Sequence, residues 1–434
     1  MSPELIGVLG VIFLLVLVFL RVSVGMSLFI VGFVGVSMLT DWKVGYNQLG
    51  STAFSTVNNY GLSVIPLFIL MGMFLSFSGL GKDMFTAVDR WIGHFRGGLA
   101  LATIGASAIF AAISGSANAT TATLAKITIP EMRKYDYKPT LATAAVAAGG
   151  TLGVLIPPSV ILILYGALTM EPIGPLLIGG FIPGILMTLM FMLTVNIQVR
   201  MNPSIAPRNP EPSPMAERFR SLSKIWPFLF IFMLSIGGIY FGFFTPTEAG
   251  GIGAIGAFFF TVLTRRLSWR DLSSSLDEAI RISVMIFLIL IGASLFGKFL
   301  ALSQIPMGLT EAVVAANMPP HLVLALILII YFFLGMFMEG IAILVLTLPI
   351  VYPLMINLGF DGIWFGVIMV MVLNMGLLTP PLGLSVYIIS GVVRDVPIQQ
   401  IFRGVTPMLI TMIVFTIILC IFPQIVIFLP NLIK

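Results

Sequence analysis

The segment 97–130 reads GGLALATIGASAIFAAISGSANATTATLAKITIP, an apolar run that is interrupted near its middle by ISGSANATT, residues 113–121. A helix that crosses the ~30 Å hydrocarbon core of a bilayer needs about 20 residues, so this segment is too long for one crossing. Its small and polar centre predicts a helical hairpin that enters and leaves the membrane on the same side. A second long run, 322–356, is interrupted in the same way by MEGIA, residues 338–342.

The composition of the whole chain predicts an all-α integral membrane protein. Of its 434 residues, 59% are hydrophobic and only 9% are charged, whereas soluble domains carry roughly a quarter charged residues. Besides the two hairpins, apolar spans are predicted at 4–20, 22–40, 62–80, 140–166, 176–199, 225–243, 247–264, 281–300, 364–391 and 404–430. Lipid is therefore the expected surrounding of most of the surface.

The basic residues are concentrated in alternate connectors between these spans. Those connectors contain Lys82, Arg90 and Arg96; Lys126, Arg133, Lys134 and Lys138; Arg200, Arg208, Arg218, Arg220 and Lys224; Arg265, Arg266, Arg270 and Arg281; and Arg394 and Arg403. The connectors 41–60, 167–175, 240–248, 301–321 and 357–363 are poor in Lys and Arg. Because basic loops stay in the cytoplasm, this pattern predicts an inner-membrane protein with both termini in the periplasm. It also accounts for the net charge of +5 without nucleic-acid binding.

An internal repeat divides the chain into a unit 1–200, a cytoplasmic linker 201–224 and a unit 225–434. Glycines and prolines recur at offsets of 220 to 225 residues, in the pairs Gly25 and Gly250, Gly72 and Gly292, Gly115 and Gly340, Pro157 and Pro380, Gly166 and Gly391, and Gly180 and Gly404. Each unit has five crossings and one hairpin, an odd number of crossings. The second unit is therefore expected to be inserted upside down, which is an architecture of secondary transporters.

The tip of the first hairpin is a candidate site for a cation and an anion. Backbone that is not helical at membrane depth is tolerated only where it is buried in protein or lines a wet cavity. Free carbonyls at the end of the first arm suit sodium, and free N–H groups at the start of the second arm, with Asn118 or Thr120 as a cap, suit a carboxylate. The alternative is that the small hydroxyl residues only allow close helix packing.

The second tip contains Glu339. A carboxylate near the bilayer centre costs ~2.5–3.5 kcal/mol on insertion scales, so it requires a partner. It could stabilise a nearby cation or orient a half-helix. The alternative is that it caps the returning helix without any contact to a ligand.

Two further spans, 140–166 and 364–391, are predicted to be broken helices. Each contains a glycine followed four residues later by a proline doublet, at Gly153 with Pro157-Pro158 and at Gly376 with Pro380-Pro381. Proline removes a backbone donor and frees carbonyls in the turn before it. Those carbonyls could supply oxygens to a hard cation, together with the side chains of Thr151, Ser159, Asn374 and Thr379. Since no Arg or Lys falls at a tip or a break, an anion would have to be held by helix N-termini and neutral donors.

These motifs together resemble the large membrane subunit of tripartite ATP-independent periplasmic (TRAP) transporters. The resemblance extends over nearly the whole chain and is carried by Ser114-Gly115-Ser116, Gly153 with Pro157-Pro158-Ser159, Pro246-Thr247-Glu248-Ala249, Glu339-Gly340 and Thr379-Pro380-Pro381. It implies an elevator-type fold in which the hairpins and broken helices form a mobile domain between scaffold helices. It also implies two or more co-transported sodium ions, a periplasmic substrate-binding protein and a small four-helix membrane subunit, here expected as a separate polypeptide.

The resemblance assigns roles to particular residues. Sodium ligands are expected among Ser114, Gly115, Asn118, Gly149, Gly153, Pro157, Glu339, Gly340, Asn374, Gly376, Thr379 and Pro380. Substrate contacts are expected among Ser114, Ser116, Asn118, Thr120, Gly340 and Ala342. The substrate class is a small organic anion, a carboxylate or a sulfonate.

Other functions are less compatible with the sequence. A channel or a structural membrane subunit without gradient coupling is the main alternative, but polar residues are concentrated at the two tips and breaks rather than in rings along a pore. A primary pump would need a nucleotide-binding region. An enzyme is not expected, because Ser114 and Ser116 have no membrane-embedded base near them in the sequence.

Overall fold

A computed structural model describes residues 2–206 and 212–432. Within these residues the regular elements are all helical. The α-helices of the first half are α1 (Pro3–Phe19), α2 (Val24–Leu39), α3 (Trp42–Val57), α4 (Val64–Phe77), α5 (Leu80–Ile92), α6 (Gly98–Ser114), α7 (Ala117–Lys134), α8 (Pro139–Thr151), α9 (Val160–Thr169) and α10 (Ile173–Met201). Those of the second half are α11 (Met215–Leu222), α12 (Trp226–Tyr240), α13 (Pro246–Leu263), α14 (Trp269–Leu302), α15 (Ile305–Ala315), α16 (Pro320–Gly335), α17 (Gly340–Asn357), α18 (Gly362–Gly376), α19 (Leu384–Val392), α20 (Ile398–Ile421) and α21 (Gln424–Leu432).

The chain is a multi-pass membrane protein. Six described segments are long and apolar enough to cross a membrane, namely residues 60–77, α10, α13, α14, α17 and α20, and a seventh results if α11 and α12, which meet at 49°, form one span. Apolar helices of only 10–17 residues include α6, α9, α16 and α18, which are short because the chain breaks beside them. Large apolar side chains on helix surfaces, such as Ile12, Phe230 and Met233, are 51%, 58% and 66% exposed. Faces of this kind suit contact with lipid.

The two long apolar runs each fold as a pair of helices. The segment 97–130 forms α6 and α7, which pack against each other and meet at Gly115. The segment 322–356 forms α16 and α17, which also pack together and are separated by residues 336–339. In the same way 140–166 is divided into α8 and α9, and 364–391 into α18 and α19. The breaks at Gly115 and at residues 152–159 are buried, whereas those at residues 336–339 and 380–382 are partly or fully exposed.

Several predicted spans and connectors have different limits in the structure. The predicted span 404–430 is two helices, because Pro423 separates α20 from α21. The predicted basic loop around 265–281 is mostly helix, since α14 begins at Trp269 and therefore contains Arg270 and Arg281. A capping box formed by Ser268 and Asp271 starts this helix well before its apolar part. In the linker, Arg208 lies outside the described residues.

Each half packs several of its helices on the other half. Helix α2 of the first half packs on α14 of the second, and α13 of the second half packs on α4 of the first. The returning hairpin arm α7 packs on α19, and the other returning arm, α17, packs on α9. Each hairpin is thus supported by the broken helix of the other half.

Candidate functional site

The first hairpin turns at a single left-handed residue. Gly115 has φ +57°, and Ser116 follows it with a side-chain oxygen that accepts a hydrogen bond from the Ala119 N–H at 3.4 Å, which caps α7. The Ser114 and Thr120 hydroxyls lie 2.7 Å apart, and the Thr120 hydroxyl donates to the Ser116 carbonyl at 2.9 Å. Three of the predicted site hydroxyls, those of Ser114, Ser116 and Thr120, therefore hold the turn together.

The break between α8 and α9 lies directly against this turn. A Cβ atom on Gly153 would lie 2.6 Å from the Ser116 carbonyl oxygen and 3.0 Å from the Thr120 hydroxyl, so only glycine fits without displacing the tip. A Cβ on Gly115 would collide with the carbonyl oxygen of Pro158. Pro157 and Pro158 are joined by a cis peptide bond, and α9 begins after them. Each segment thus presents a carbonyl oxygen to a glycine of the other.

The other residues predicted for this site differ in their surroundings and in their hydrogen bonds. Asn118 lies in the first turn of α7, and its Oδ1 atom is buried without a hydrogen-bond partner among the described residues. At Gly149 an added Cβ would meet the Ser107 side chain in the middle of α6. Thr151 and Ser159 hydroxyls bond to the Ala148 and Val154 carbonyls at 2.7 and 2.5 Å. Among these predicted residues, Asn118 therefore has a buried side-chain oxygen that no described residue engages.

At the second tip, Glu339 occupies the position before α17, but its side chain makes no capping hydrogen bond. The capping alternative considered for Glu339 is therefore wrong. Gly340 packs against Ile161 of α9, since a Cβ added there would lie 3.4 Å from the Ile161 Cδ1 atom. Glu339 and Ala342 line a cavity of about 380 Å³ whose opposite wall includes Arg281 of α14. Arg281 was predicted to lie in a basic loop, whereas it lies within α14.

The second broken helix meets the second hairpin through two glycines. A Cβ on Gly335, at the end of α16, would lie 3.3 Å from the Gly376 Cα atom at the end of α18. Asn374 is 3% exposed, and its Nδ2 atom has no hydrogen-bond partner among the described residues. The Thr379 hydroxyl donates to the Met375 carbonyl at 2.7 Å, and the cis Pro380-Pro381 bond follows. Here too a hairpin end and a helix break lie together beside an unsatisfied amide.

Acidic and histidine ligands do not cluster around either break. Across residues 2–206 and 212–432, no three His, Cys, Asp or Glu side chains lie close enough to hold a metal ion. Any cation bound at these places would be held mainly by carbonyl, hydroxyl and amide oxygens. That donor set suits a hard monovalent cation better than a transition metal.

Comparison with known proteins identifies the family. The profile of the family described as "Tripartite ATP-independent periplasmic transporter, DctM component" matches residues 11–425. The chain belongs to this family. Among its DctM-family relatives, the C4-dicarboxylate TRAP transporter large permease protein DctM of Pseudomonas aeruginosa is 34% identical over 88% of this chain and 89% of that protein.

Another DctM-family relative has a different substrate in its name. The sialic acid TRAP transporter large permease protein SiaM of Vibrio cholerae is 32% identical, with 96% of each chain covered. Among solved structures, the YdaH transporter of Alcanivorax borkumensis has a TM-score of 0.66 over 88% of this chain and 89% of that one. At 14% identity this last likeness shows only a shared fold.

Proposed function

We propose that this DctM-family chain is the large membrane subunit of a sodium-coupled secondary transporter that takes up a small organic anion, a carboxylate or a sulfonate. Its relatives named for C4-dicarboxylates and for sialic acid support an acidic substrate. The substrate would be delivered by a periplasmic binding protein. A small four-helix subunit would complete the membrane complex in the bacterial inner membrane, with the basic connectors cytoplasmic and both termini periplasmic.

The observation that carries the sodium proposal is the contact between each hairpin tip and a helix break. Gly153 packs against the Ser116 carbonyl oxygen and the Thr120 hydroxyl, and Gly115 packs against the Pro158 carbonyl oxygen, so the tip and the break contact each other at two points. The unpartnered Asn118 oxygen is available in the same turn of α7. Discontinuous helices in transporters use such carbonyls to coordinate sodium. A second ion is proposed at the end of α18, where Asn374 lies in the last turn before the break.

The exchange of partners between halves supports an inverted repeat with units 1–200 and 225–434. Two copies related by a two-fold axis in the membrane plane would place each returning arm on the other copy's broken helix, as α7 on α19 and α17 on α9. We propose that these hairpins and broken helices move as one body. The remaining helices, with the tight pairs α2–α14 and α4–α13, would form the scaffold of an elevator.

Sodium coupling is tested by reconstituting the complex into proteoliposomes. We expect uptake of the labelled anion to require both an inward sodium gradient and the binding protein, and to stop when choline replaces sodium. Vesicles with sodium equal on both sides are the control. Flux that continues without a gradient and without the binding protein would instead support the channel function.

The elevator is tested by two cross-links in a Cys420→Ser background. Arg133 at the end of α7 donates to both carboxylate oxygens of Asp395 at 2.8 Å, and these hydrogen bonds lower the pKa of the Asp395 carboxyl. Cysteines at these two positions would be joined by a short bifunctional thiol reagent within the proposed mobile body, and uptake should persist. Cysteines at Met285 of α14 and Ile341 of α17, which both line the cavity beside Glu339, would cross-link the proposed mobile body to the scaffold. This second cross-link should abolish uptake. Persistent uptake after the second cross-link would rule out the elevator.

A further inference from the structure

The cavity beside the second hairpin tip has one charged residue on each wall. It has a volume of about 380 Å³ and lies between α14 on one side and the start of α17 on the other. Arg281 is the charged residue of the α14 wall, and Glu339 is that of the hairpin wall. Most of the remaining lining is apolar, including Met285 and Ile341. An apolar pocket with a few convergent polar groups is the usual form of a small-molecule site.

The guanidinium of Arg281 is available to a ligand. Its ion pair is with Asp277, one turn earlier on α14, at 3.1 Å, and the two side chains are 74% and 68% exposed. Exposed ion pairs of this kind contribute only about 0–1 kcal/mol to stability, so an incoming anion can displace the carboxylate. A guanidinium also binds a carboxylate or sulfonate through two parallel hydrogen bonds, which a neutral donor cannot match.

The position of Arg281 distinguishes it from a residue of a cytoplasmic loop. It is the thirteenth residue of α14, and at 1.5 Å per residue it lies about 18 Å along the helix from Trp269. Two turns farther on, the start of α2 packs closely on the same helix, where a Cβ on Gly25 would lie 3.2 Å from the Ile289 Cα atom. The cavity wall therefore runs along α14 from the exposed Arg281 to Ile289, where the start of α2 packs against this helix.

The two charges also make the walls of the cavity electrostatically different. A carboxylate on the hairpin wall repels the acid group of a ligand, and an arginine on the α14 wall attracts it. Within the described residues Arg281 and Glu339 are not paired with each other, since Arg281 pairs with Asp277. An organic acid in this cavity would thus turn its acid group towards α14.

We propose that Arg281 binds the carboxylate or sulfonate group of the transported anion from the scaffold wall, so that the acid group is held by a permanent cation and not by neutral donors alone. This rests on the proposed function, because it assumes that the cavity is where the substrate binds. Glu339, on the opposite wall, orients the molecule by repulsion of its acid group.

The test measures how the cavity discriminates between charges, without any gradient or binding protein. The complex, carrying Cys420→Ser and Ile341→Cys, is placed in nanodiscs, and the new thiol is allowed to react with 2-sulfonatoethyl or 2-trimethylammonioethyl methanethiosulfonate. The first reagent carries a sulfonate and the second a quaternary ammonium, so the ratio of their rates reports the preference for an anion. Arg281→Gln is expected to lower this ratio by about tenfold, because the lost charge slows one reagent and accelerates the other.

Matched variants distinguish an effect of Arg281 on the cavity from the general effect of removing one positive charge from α14. Arg281→Lys keeps the charge and should retain most of the ratio, and Arg270→Gln, an exposed arginine earlier on the same helix, should leave it unchanged. Glu339→Gln should raise the ratio, because it removes a negative charge from the cavity wall. An unchanged ratio in Arg281→Gln, or an equal fall in Arg270→Gln, would overturn the assignment of Arg281 whether or not uptake depends on sodium. Conversely, a shifted ratio in a protein whose uptake ignores sodium would contradict only the proposed coupling.

Discussion

Replacing Gly153 with alanine should weaken sodium binding and sodium-driven uptake by roughly 5- to 150-fold. The added Cβ would lie 2.6 Å from the Ser116 carbonyl oxygen, so either the hairpin tip or the helix break must move. Forcing one extra carbon into a packed interior costs about 1–3 kcal/mol. If only the ion-bound state is strained, this energy weakens the affinity for sodium by roughly 5- to 150-fold. The measurement is initial uptake as a function of external sodium concentration.

The matched control is Gly391→Ala in α19, within the same proposed mobile body. No neighbouring atom lies within 4 Å of the position that its Cβ would take. This variant should therefore transport like the parent. Unchanged sodium dependence in Gly153→Ala would mean that the tip can yield without cost and that its oxygens do not bind the ion.

The second large effect is expected from Asn374→Leu. Asn374 is 3% exposed and has an amide nitrogen without a hydrogen-bond partner among the described residues. Removing an unsatisfied buried polar group relieves a penalty of about 1–3 kcal/mol, so the sodium-free protein should become as stable as the parent or more stable. If the amide oxygen binds sodium, the stabilisation by the ion, about 2.7 kcal/mol at 100 times its dissociation constant, should be lost at the same time.

Thermal unfolding of the detergent-solubilised protein in sodium and in choline would separate these two effects. Asn118→Leu tests the first hairpin in the same way, since its Oδ1 is also buried without a partner in the described chain. Thr128→Val in α7 is the control, because its buried hydroxyl also has no partner among the described residues but lies twelve residues, about 18 Å, along the helix from Ser116. A sodium-induced shift in Asn374→Leu as large as in the parent would exclude Asn374 as a ligand.

The positions of the helix breaks could be predicted from sequence because their causes are local. Gly115 is a glycine in a left-handed conformation, and the chain turns there as the ISGSANATT motif predicts. The proline doublets separate α8 from α9 and α18 from α19, because proline lacks the N–H group that a continuous helix would need there. Length alone indicated that 97–130 could not be one crossing. Each of these signals is contained within about ten residues.

What the sequence did not reveal depends on contacts between distant segments. The fit of Gly153 to Ser116 and of Gly335 to Gly376 involves pairs that are 37 and 41 residues apart, and no local pattern specifies such a contact. Arg281 was missed for another reason: hydropathy marks where a helix is apolar, not where it begins. The polar first turns of α14 are helical because a capping box starts them, and this extension carries Arg281 to the cavity.

The support of each returning arm by the other half has a consequence for the integrity of the molecule. Since α7 packs on α19 and α17 packs on α9, each half supplies part of the surface that buries the other half's returning arm. A fragment ending in the linker would leave the face of α7 that packs on α19 without its partner. The two halves therefore need each other to bury these arms completely.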